Sequence, residues 1–192
     1  MKAVPGAEAE DDRWIATYVG GLDASKRIDV LIHVAQCVHG IDSRFLLVIG
    51  GRGDMEEEVK NAAENPWLEY VKQVDDYAKA LIASRAYVML IPGRVGLAAI
   101  DSFVMETPIG VMEYEFHAPE FEYLTASSSV VVENNEDSYV SAIVELMNDP
   151  ELFTNLTRNA RADARKYLIT DMVEKFAFGI NSALDENRSP KR

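Results

Sequence analysis

The chain has 192 residues, 48% of them hydrophobic, which predicts one globular domain with a sizeable buried core. Its formal net charge of -13 argues against nucleic acid and anionic membrane surfaces as general partners, because binding to them needs clustered positive charge. Cys37 is the single cysteine, so no disulfide forms within the chain, and no apolar run in the sequence is long enough for a membrane span. We therefore expect a cytoplasmic protein.

Short apolar runs alternate along the chain with segments of helical periodicity. The apolar runs predict strands at 14–19, 45–49, 68–71, 86–91, 109–112 and 130–132. The periodic segments predict helices at 28–38, 55–65, 77–84, 97–105, 136–148 and 151–180. This alternation predicts an α/β fold, a Rossmann-like parallel sheet of about six strands with helices on both faces. We assign 13–180 to this domain, 1–12 to a linker or leader, and 181–192 to a polar tail.

The loop after the first predicted strand has a composition suited to phosphate. It reads GGLDASKR over 20–27, with two glycines followed by Lys26 and Arg27. Loops at the carboxyl ends of parallel strands form the ligand edge of such a sheet, and a lysine there can neutralise a phosphate. The glycine spacing matches neither a P-loop nor a dinucleotide fingerprint. An exposed, solubilising Lys26 is the alternative interpretation.

The stretch IPGRVGLAAIDSFVMETPI, at 91–109, predicts a second ligand-binding loop at the same edge. Pro92 and Gly93 end a buried strand, Gly96 allows a turn, and Asp101 lies one turn into the helix that follows. Free amides at a helix N-terminus attract phosphate, and a nearby carboxylate can accept hydrogen bonds from sugar hydroxyls. An ordinary strand–turn–helix unit with a solvated aspartate is the alternative.

In order along the chain, YVGGLDASKRIDVLI, FLLVIGGRGD, VKQVDD and IPGRVGLAAIDSFVMETPI, with the acidic closing helices, resemble one family. It is the C-terminal half of the retaining GT-B glycosyltransferases of group 1 (family 4), and the resemblance runs from Trp14 to about Ile180. That half is a Rossmann-like domain that binds the nucleotide-sugar donor without a required metal. The resemblance implies a glycosyltransferase with no cofactor, whose substrate is a nucleoside-diphosphate sugar, a UDP-sugar in preference to a GDP-sugar.

The resemblance also implies roles for individual residues, all of them at predicted strand ends. Those implied for the donor diphosphate are Gly21, Lys26, Gly96, Leu97 and Ala98. Those implied for the nucleobase pocket and the ribose are Val74, Asp75 and Asp76, and Asp101, respectively. Those implied for the donor-sugar region are Gly93, Arg94 and Arg52. The resemblance implies no metal ligands, and nothing in the sequence gives His117 the company of other metal ligands.

The sequence departs from the family pattern at three places. Gly21 stands where the family often has an arginine, which removes one phosphate-binding charge. The first glutamate of the paired-glutamate motif is absent, and Asp101 takes the place of the second. Glu106 replaces the glycine that usually ends this helix, which predicts a left-handed backbone at a cost of about 1 kcal/mol.

Two other classes of protein remain as alternatives. A non-catalytic GT-B-like module would bind a nucleotide or a partner chain without chemistry, and a flavodoxin-like or receiver domain would need acidic residues at other strand ends. If the glycosyltransferase interpretation holds, an N-terminal acceptor domain or a separate chain must complete the cleft, and the isolated chain transfers sugar negligibly. A surface facing that partner should expose apolar residues near the strand ends, such as Tyr114, Phe116 and Phe121.

Overall fold

A computed structural model describes residues 12–188, and the side chains of 12–184. Residues 1–11 and 189–192, most of the predicted linker and the end of the predicted tail, lie outside the described residues. One parallel sheet has six strands: β1 (Trp14–Val19), β2 (Phe45–Gly50), β3 (Leu68–Val71), β4 (Val88–Ile91), β5 (Ile109–Met112) and β6 (Ser129–Val132).

Helices follow the strands in alternation, as the periodicity predicts. They are α1 (Ile28–Ile41), α2 (Glu56–Ala62), α3 (Asp76–Arg85), α4 (Ala98–Val104), α5 (Glu136–Asn148), α6 (Pro150–Asp163) and α7 (Ile169–Arg188). Short 3-10 turns lie at Ala24–Lys26, Pro119–Tyr123 and Ala164–Lys166.

The strand order is β3-β2-β1-β4-β5-β6, and every paired strand runs parallel to its neighbour. This is the order of a doubly wound Rossmann sheet and differs from that of a flavodoxin-like sheet. The Rossmann-like prediction is confirmed, and the flavodoxin-like alternative is wrong. Chain direction reverses between β1 and β4, so the crevice for ligands opens at the carboxyl ends of these two strands.

The central strands carry the core on both faces of the sheet. On one face Ala16 of β1 and Leu47 of β2 join one large cluster with α1 and α5. On the other face Ile15 and Leu46 pack with Ile82 of α3. Alternate residues of each strand therefore bury apolar area on opposite sides, which is why these strands are almost continuously apolar.

The predicted closing helix, 151–180, is two helices in the structure. The 3-10 turn at Ala164–Lys166 separates them, and Tyr167 stacks on Tyr123 with a ring-centroid distance of 4.2 Å and on Phe103 at 5.8 Å. Anchoring this ring against two loop and helix aromatics turns the chain out of α6. The second helix, α7, then continues to Arg188, beyond the predicted end at residue 180.

Two residues other than glycine have a left-handed backbone. Glu106 ends α4 with φ of 52°, which confirms the prediction for that position. Its carboxylate lies 3.2 Å from Nε of Arg161 in α6, so an ion pair accompanies the strained backbone. Arg27, with φ of 54°, precedes α1 in the same conformation.

Candidate functional site

The loops after β1 and β4 meet at the switch point of the sheet. The Arg94 amide donates to the Ser25 carbonyl at 2.8 Å, and Nζ of Lys26 donates to the Arg94 carbonyl at 2.7 Å. A Cβ at Gly93 would lie 2.5 Å from the Ser25 oxygen and 2.5 Å from the Lys26 carbonyl carbon, closer than real Cβ atoms come. Position 93 thus accepts only glycine, and the two predicted phosphate loops form one surface.

A third loop, after β2, packs against the opposite side of the β1 loop. The Leu22 amide donates to the Arg52 carbonyl at 2.9 Å, and a Cβ on Gly51, whose φ is 144°, would lie 1.9 Å from the Gly20 oxygen. The Arg52 guanidinium donates to Gln73 after β3, at 3.1 Å. Arg52 therefore lies on the β3 side of the β1 loop, whereas Gly93 and Arg94, predicted for the same donor-sugar region, follow β4 on the other side.

Lys26 is half-buried in the 3-10 turn of the β1 loop. Burial lowers the pKa of its ammonium; the carboxylate of Asp23 opposes that shift and the guanidinium of Arg94 adds to it. A partly desolvated ammonium gains more from an incoming anion than a fully hydrated one does. Gly21, the other loop residue implied for the diphosphate, is exposed, and its carbonyl accepts from the Tyr18 hydroxyl at 2.6 Å.

The segment implied for the nucleobase lies between β3 and α3. Cγ2 of Val74 occupies the space over Gly50, 2.6 Å from where a Cβ would be. The Asp75 side chain caps α3 by accepting from the Ala78 amide at 2.8 Å, and Asp76 is exposed on the first turn of that helix. Val74 thus reaches the β2 carboxyl end, and the Asp75 carboxylate already has a structural role as an N-cap.

The turn before α4 brings the remaining implied residues to the same edge. Gly96 has open space beside it, since the nearest atom to an added Cβ is 3.9 Å away, and Leu97 is 70% exposed. Asp101, one turn into α4, has its Oδ2 2.9 Å from Nζ of Lys79 in α3. Sequence reasoning missed Lys79, because nothing in the chain's local pattern predicts this contact between helices 22 residues apart.

His117, which sequence reasoning left without a role, joins three segments. Its Nδ1 accepts from the Val95 amide at 3.1 Å, its Nε2 lies 3.0 Å from the Met112 carbonyl, and its ring stacks on Phe121 with a centroid distance of 3.9 Å. Burial lowers the pKa of His117, and nearby Lys26 lowers it further. The neutral ring therefore holds the loop after β5 against the turn before α4.

Arg27 is a second residue whose contacts the sequence did not reveal. Its Nη1 donates to Oδ1 of Asn134 at 2.5 Å, and its Cζ lies 5.7 Å from the ring centroid of Tyr114. The side chain links the β1 loop to the segments after β5 and β6. The arginine is thereby held in a partly buried position next to Lys26.

A cavity of about 740 Å³ opens beside the loop after β5. Carboxylates and aromatic rings line it together, among them Glu113, Glu115, Glu122, Tyr114 and Phe121. Of the three aromatic residues predicted to be exposed near the strand ends, Phe116 is exposed, whereas Tyr114 and Phe121 are partly buried.

Within the part of the chain that the structure describes, no group of three or more His, Cys, Asp or Glu residues is placed to hold a metal ion. In the same residues, no helix is both long and apolar enough to cross a membrane.

The fold and the sequence together define the family. Residues 3–163 match the family of glycosyl transferases group 1, so the chain belongs to that family, and it is a glycosyltransferase domain of the GT-B type.

Individual relatives are more distant. The chain is 23% identical over 180 residues to a poly(ribitol-phosphate) α-N-acetylglucosaminyltransferase of Staphylococcus aureus, covering 88% of this chain and 35% of that protein. It superposes on S. aureus TarM in complex with fondaparinux, α-GlcNAc-glycerol and UDP, with a TM-score of 0.76 at 18% identity, covering 88% of this chain and 36% of TarM.

A pneumococcal O-GlcNAc transferase in complex with UDP and GlcNAc gives a TM-score of 0.74 at 14% identity, covering 89% of this chain and 36% of that one. The chain thus spans about a third of the length of these relatives.

Proposed function

We propose that this chain is the donor-binding half of a retaining glycosyltransferase of family 4, and that it binds a nucleoside diphosphate sugar. UDP-sugars are the first choice and GDP-sugars the second. The site is the carboxyl edge of the sheet between β1 and β4. Membership of the group 1 family supports this proposal, as do the two relatives whose complexes contain UDP.

One observation carries the proposal, the union of the two phosphate loops. Lys26 of the β1 loop reaches the Arg94 carbonyl of the β4 loop, and Gly93 lets the two backbones touch. A diphosphate at this junction would meet the partly desolvated Lys26 ammonium from one side and the turn Gly96–Ala98 from the other. Charge and hydrogen-bond donors are both positioned before the ligand arrives, which reduces the entropic cost of binding.

The nucleoside would lie on the neighbouring part of the edge. Val74, Asp75 and Asp76 are assigned to the nucleobase pocket, and Asp101 to the ribose hydroxyls. Because the Asp75 carboxylate caps α3, we assign the base contact of this segment to its backbone and to Val74. Asp101 is 34% exposed at its side chain, so its carboxylate remains accessible to a ligand.

We further propose that transfer requires a second body that binds the acceptor. Reaction between donor and acceptor needs both held in near-attack geometry with water excluded, and an open sheet edge provides neither. Exposed apolar residues support such a partner, since monomers rarely expose large contiguous apolar patches. Phe116 is 58% exposed beside the site, and α7 has Phe176 at 71% and Ile169 at 67%.

Calorimetry with a panel of nucleoside diphosphates tests donor binding. We expect UDP to bind best, GDP next, and ADP and CDP more weakly. Absence of binding to every member at millimolar concentration would contradict the donor-domain proposal and leave the interaction module as the better interpretation.

A turnover assay tests the need for a second body. Release of UDP or GDP from the corresponding sugars is measured with the purified chain, with and without candidate acceptors. We expect negligible acceptor-dependent release. Sustained acceptor-dependent turnover by the 192-residue chain alone would refute this part of the proposal.

A non-catalytic nucleotide-binding module is a second candidate that specific observations favour. Gly21 brings no charge to the diphosphate, and Gly93 has no space for any side chain in the donor-sugar region. A module of this kind would bind UDP and UDP-sugars equally well, because nothing would contact the sugar. A catalytic donor domain should instead bind one UDP-sugar more tightly than UDP.

A further inference from the structure

The ion pair between Lys79 and Asp101 joins the two parts of the site that were assigned to the nucleoside. Nζ of Lys79 lies 2.9 Å from Oδ2 of Asp101, and the two side chains are 24% and 34% exposed. Lys79 stands one helical turn after Asp75, to whose carbonyl its amide donates at 2.9 Å. The bridge therefore connects the base segment on α3 with the ribose carboxylate on α4.

Asp101 needs such a support on steric grounds. An aspartate side chain is one methylene shorter than the glutamate that the family resemblance places here, so its reach depends on a defined rotamer. Among residues 12–184, the bond from Lys79 engages Oδ2, and no described side chain donates to Oδ1. The arrangement leaves one carboxylate oxygen directed by the lysine and the other available to accept from a ligand hydroxyl.

We propose that Lys79 is a positioning residue for ribose recognition: its ammonium holds the Asp101 carboxylate where that carboxylate accepts hydrogen bonds from the ribose hydroxyls. This inference rests on the proposed function. An ordinary partly exposed ion pair would affect stability slightly and leave ligand selectivity unchanged. The positioning role instead predicts a selectivity that depends on Lys79.

The experiment compares binding of UDP and 2′,3′-dideoxy-UDP to the full chain by calorimetry. The unmodified chain should bind UDP more tightly, because only UDP has both hydroxyls. Lys79→Met, which keeps the apolar stem, should weaken UDP about tenfold, equivalent to about 1.4 kcal/mol, and leave dideoxy-UDP unchanged. Lys79→Arg should restore most of the selectivity, since a guanidinium can also donate to Oδ2.

A double-variant cycle separates positioning from an independent contact. Asp101→Asn should lose the same selectivity, and Lys79→Met combined with Asp101→Asn should lose no more than Asp101→Asn alone. Lys60→Met is the matched control, because it removes the same charge from another helical ion pair, that with Glu56 and Glu57. Its selectivity for UDP should equal that of the unmodified chain. Thermal unfolding of every variant verifies that folding is intact.

Several outcomes would overturn the inference. Equal weakening of both nucleotides in Lys79→Met would mean that the ammonium contacts the base or the phosphates itself. Tighter UDP binding would mean that Lys79 competes with the ribose for Asp101. An unmodified chain that binds both nucleotides equally would remove the ribose role of Asp101, and with it the role of Lys79. If it binds neither, the proposed function itself is wrong.

Discussion

The carboxyl edge of the sheet and helix α7 are built in opposite ways. At the edge, three loops pack so closely that Gly51 and Gly93 have no room for a Cβ, and the α4 residue Phe103 beneath them is fully buried. Along α7, Gly179 has nothing within 4 Å, and Phe176 is 71% exposed. Shape at the edge is determined by contacts within the chain, whereas α7 contributes little to the core of this domain.

The apolar residues of α7 nonetheless follow a pattern. Those with large exposed fractions recur at helical spacing on one face: Ile169, Met172, Val173, Phe176, Ile180 and Leu184. A stripe of this kind is typical of a helix face that packs against another body. The difference between the regions therefore separates what this domain needs for its own stability from what it presents to a partner.

Truncating a phenylalanine in each region should give the largest contrast. Phe103→Ala removes a fully buried ring and is expected to lower the free energy of unfolding by about 3–5 kcal/mol. Phe176→Ala removes an exposed ring and should change it by less than about 0.5 kcal/mol. Urea unfolding followed by circular dichroism measures both. A loss above 1 kcal/mol for Phe176→Ala would show that α7 belongs to the core, on the scale at which surface changes stay near zero.

A methyl group added at a glycine in each region should act in opposite directions. Gly93→Ala places a Cβ 2.5 Å from backbone atoms of Ser25 and Lys26, so we expect a loss of about 3 kcal/mol and much weaker UDP binding. Gly179→Ala should stabilise α7 by about 0.5–1 kcal/mol, since alanine favours helix and the space is open. Thermal unfolding and calorimetry measure these effects. Normal UDP affinity in Gly93→Ala would contradict the interlocked-loop description.

Removing one lysine from each region tests where the ligand binds. Lys26→Ala should weaken UDP by about 1.5–3 kcal/mol, the worth of a charge-assisted hydrogen bond, and leave uridine almost unaffected. Lys175→Ala, an exposed lysine of α7, should change neither affinity. Calorimetry with UDP and uridine distinguishes the cases. Equal weakening of uridine and UDP would place Lys26 away from the diphosphate.

Acidification should loosen the edge through His117. Because the folded chain lowers the pKa of this imidazole, protonation favours the unfolded chain. The stability is present above the unfolded pKa of about 6.5, and it falls with pH by up to about 1.4 kcal/mol per unit until the lowered folded pKa is passed. Urea unfolding at a series of pH values measures this slope.

The variant His117→Gln should lose part of that slope. His33→Gln, at a histidine whose side chain is 62% exposed, should keep it. The same slope in His117→Gln as in the unmodified chain would assign the acid sensitivity to other groups. Histidines titrate in this range, so the comparison isolates one residue at a time.

The amino-acid sequence by itself determined the parallel α/β architecture, the strand positions and the left-handed Glu106. These depend on local information: apolar runs for buried strands, helical periodicity, and the substitution of glycine at a helix end. Family membership was also readable from five ordered segments, because a match over most of a chain needs no coordinates. The roles assigned to Lys26, Val74 and Asp101 stay predictions, although the structure brings all three to one edge of the sheet.

Only the tertiary structure decided how that edge is held together. The partner of Asp101 is Lys79, the Gly93 backbone touches that of Ser25, and the His117 ring joins the Val95 and Met112 segments. Each of these contacts links residues more than fifteen positions apart or crosses from one strand end to another. Which distant side chains meet depends on strand order and helix placement together, and no local pattern of residue types encodes that.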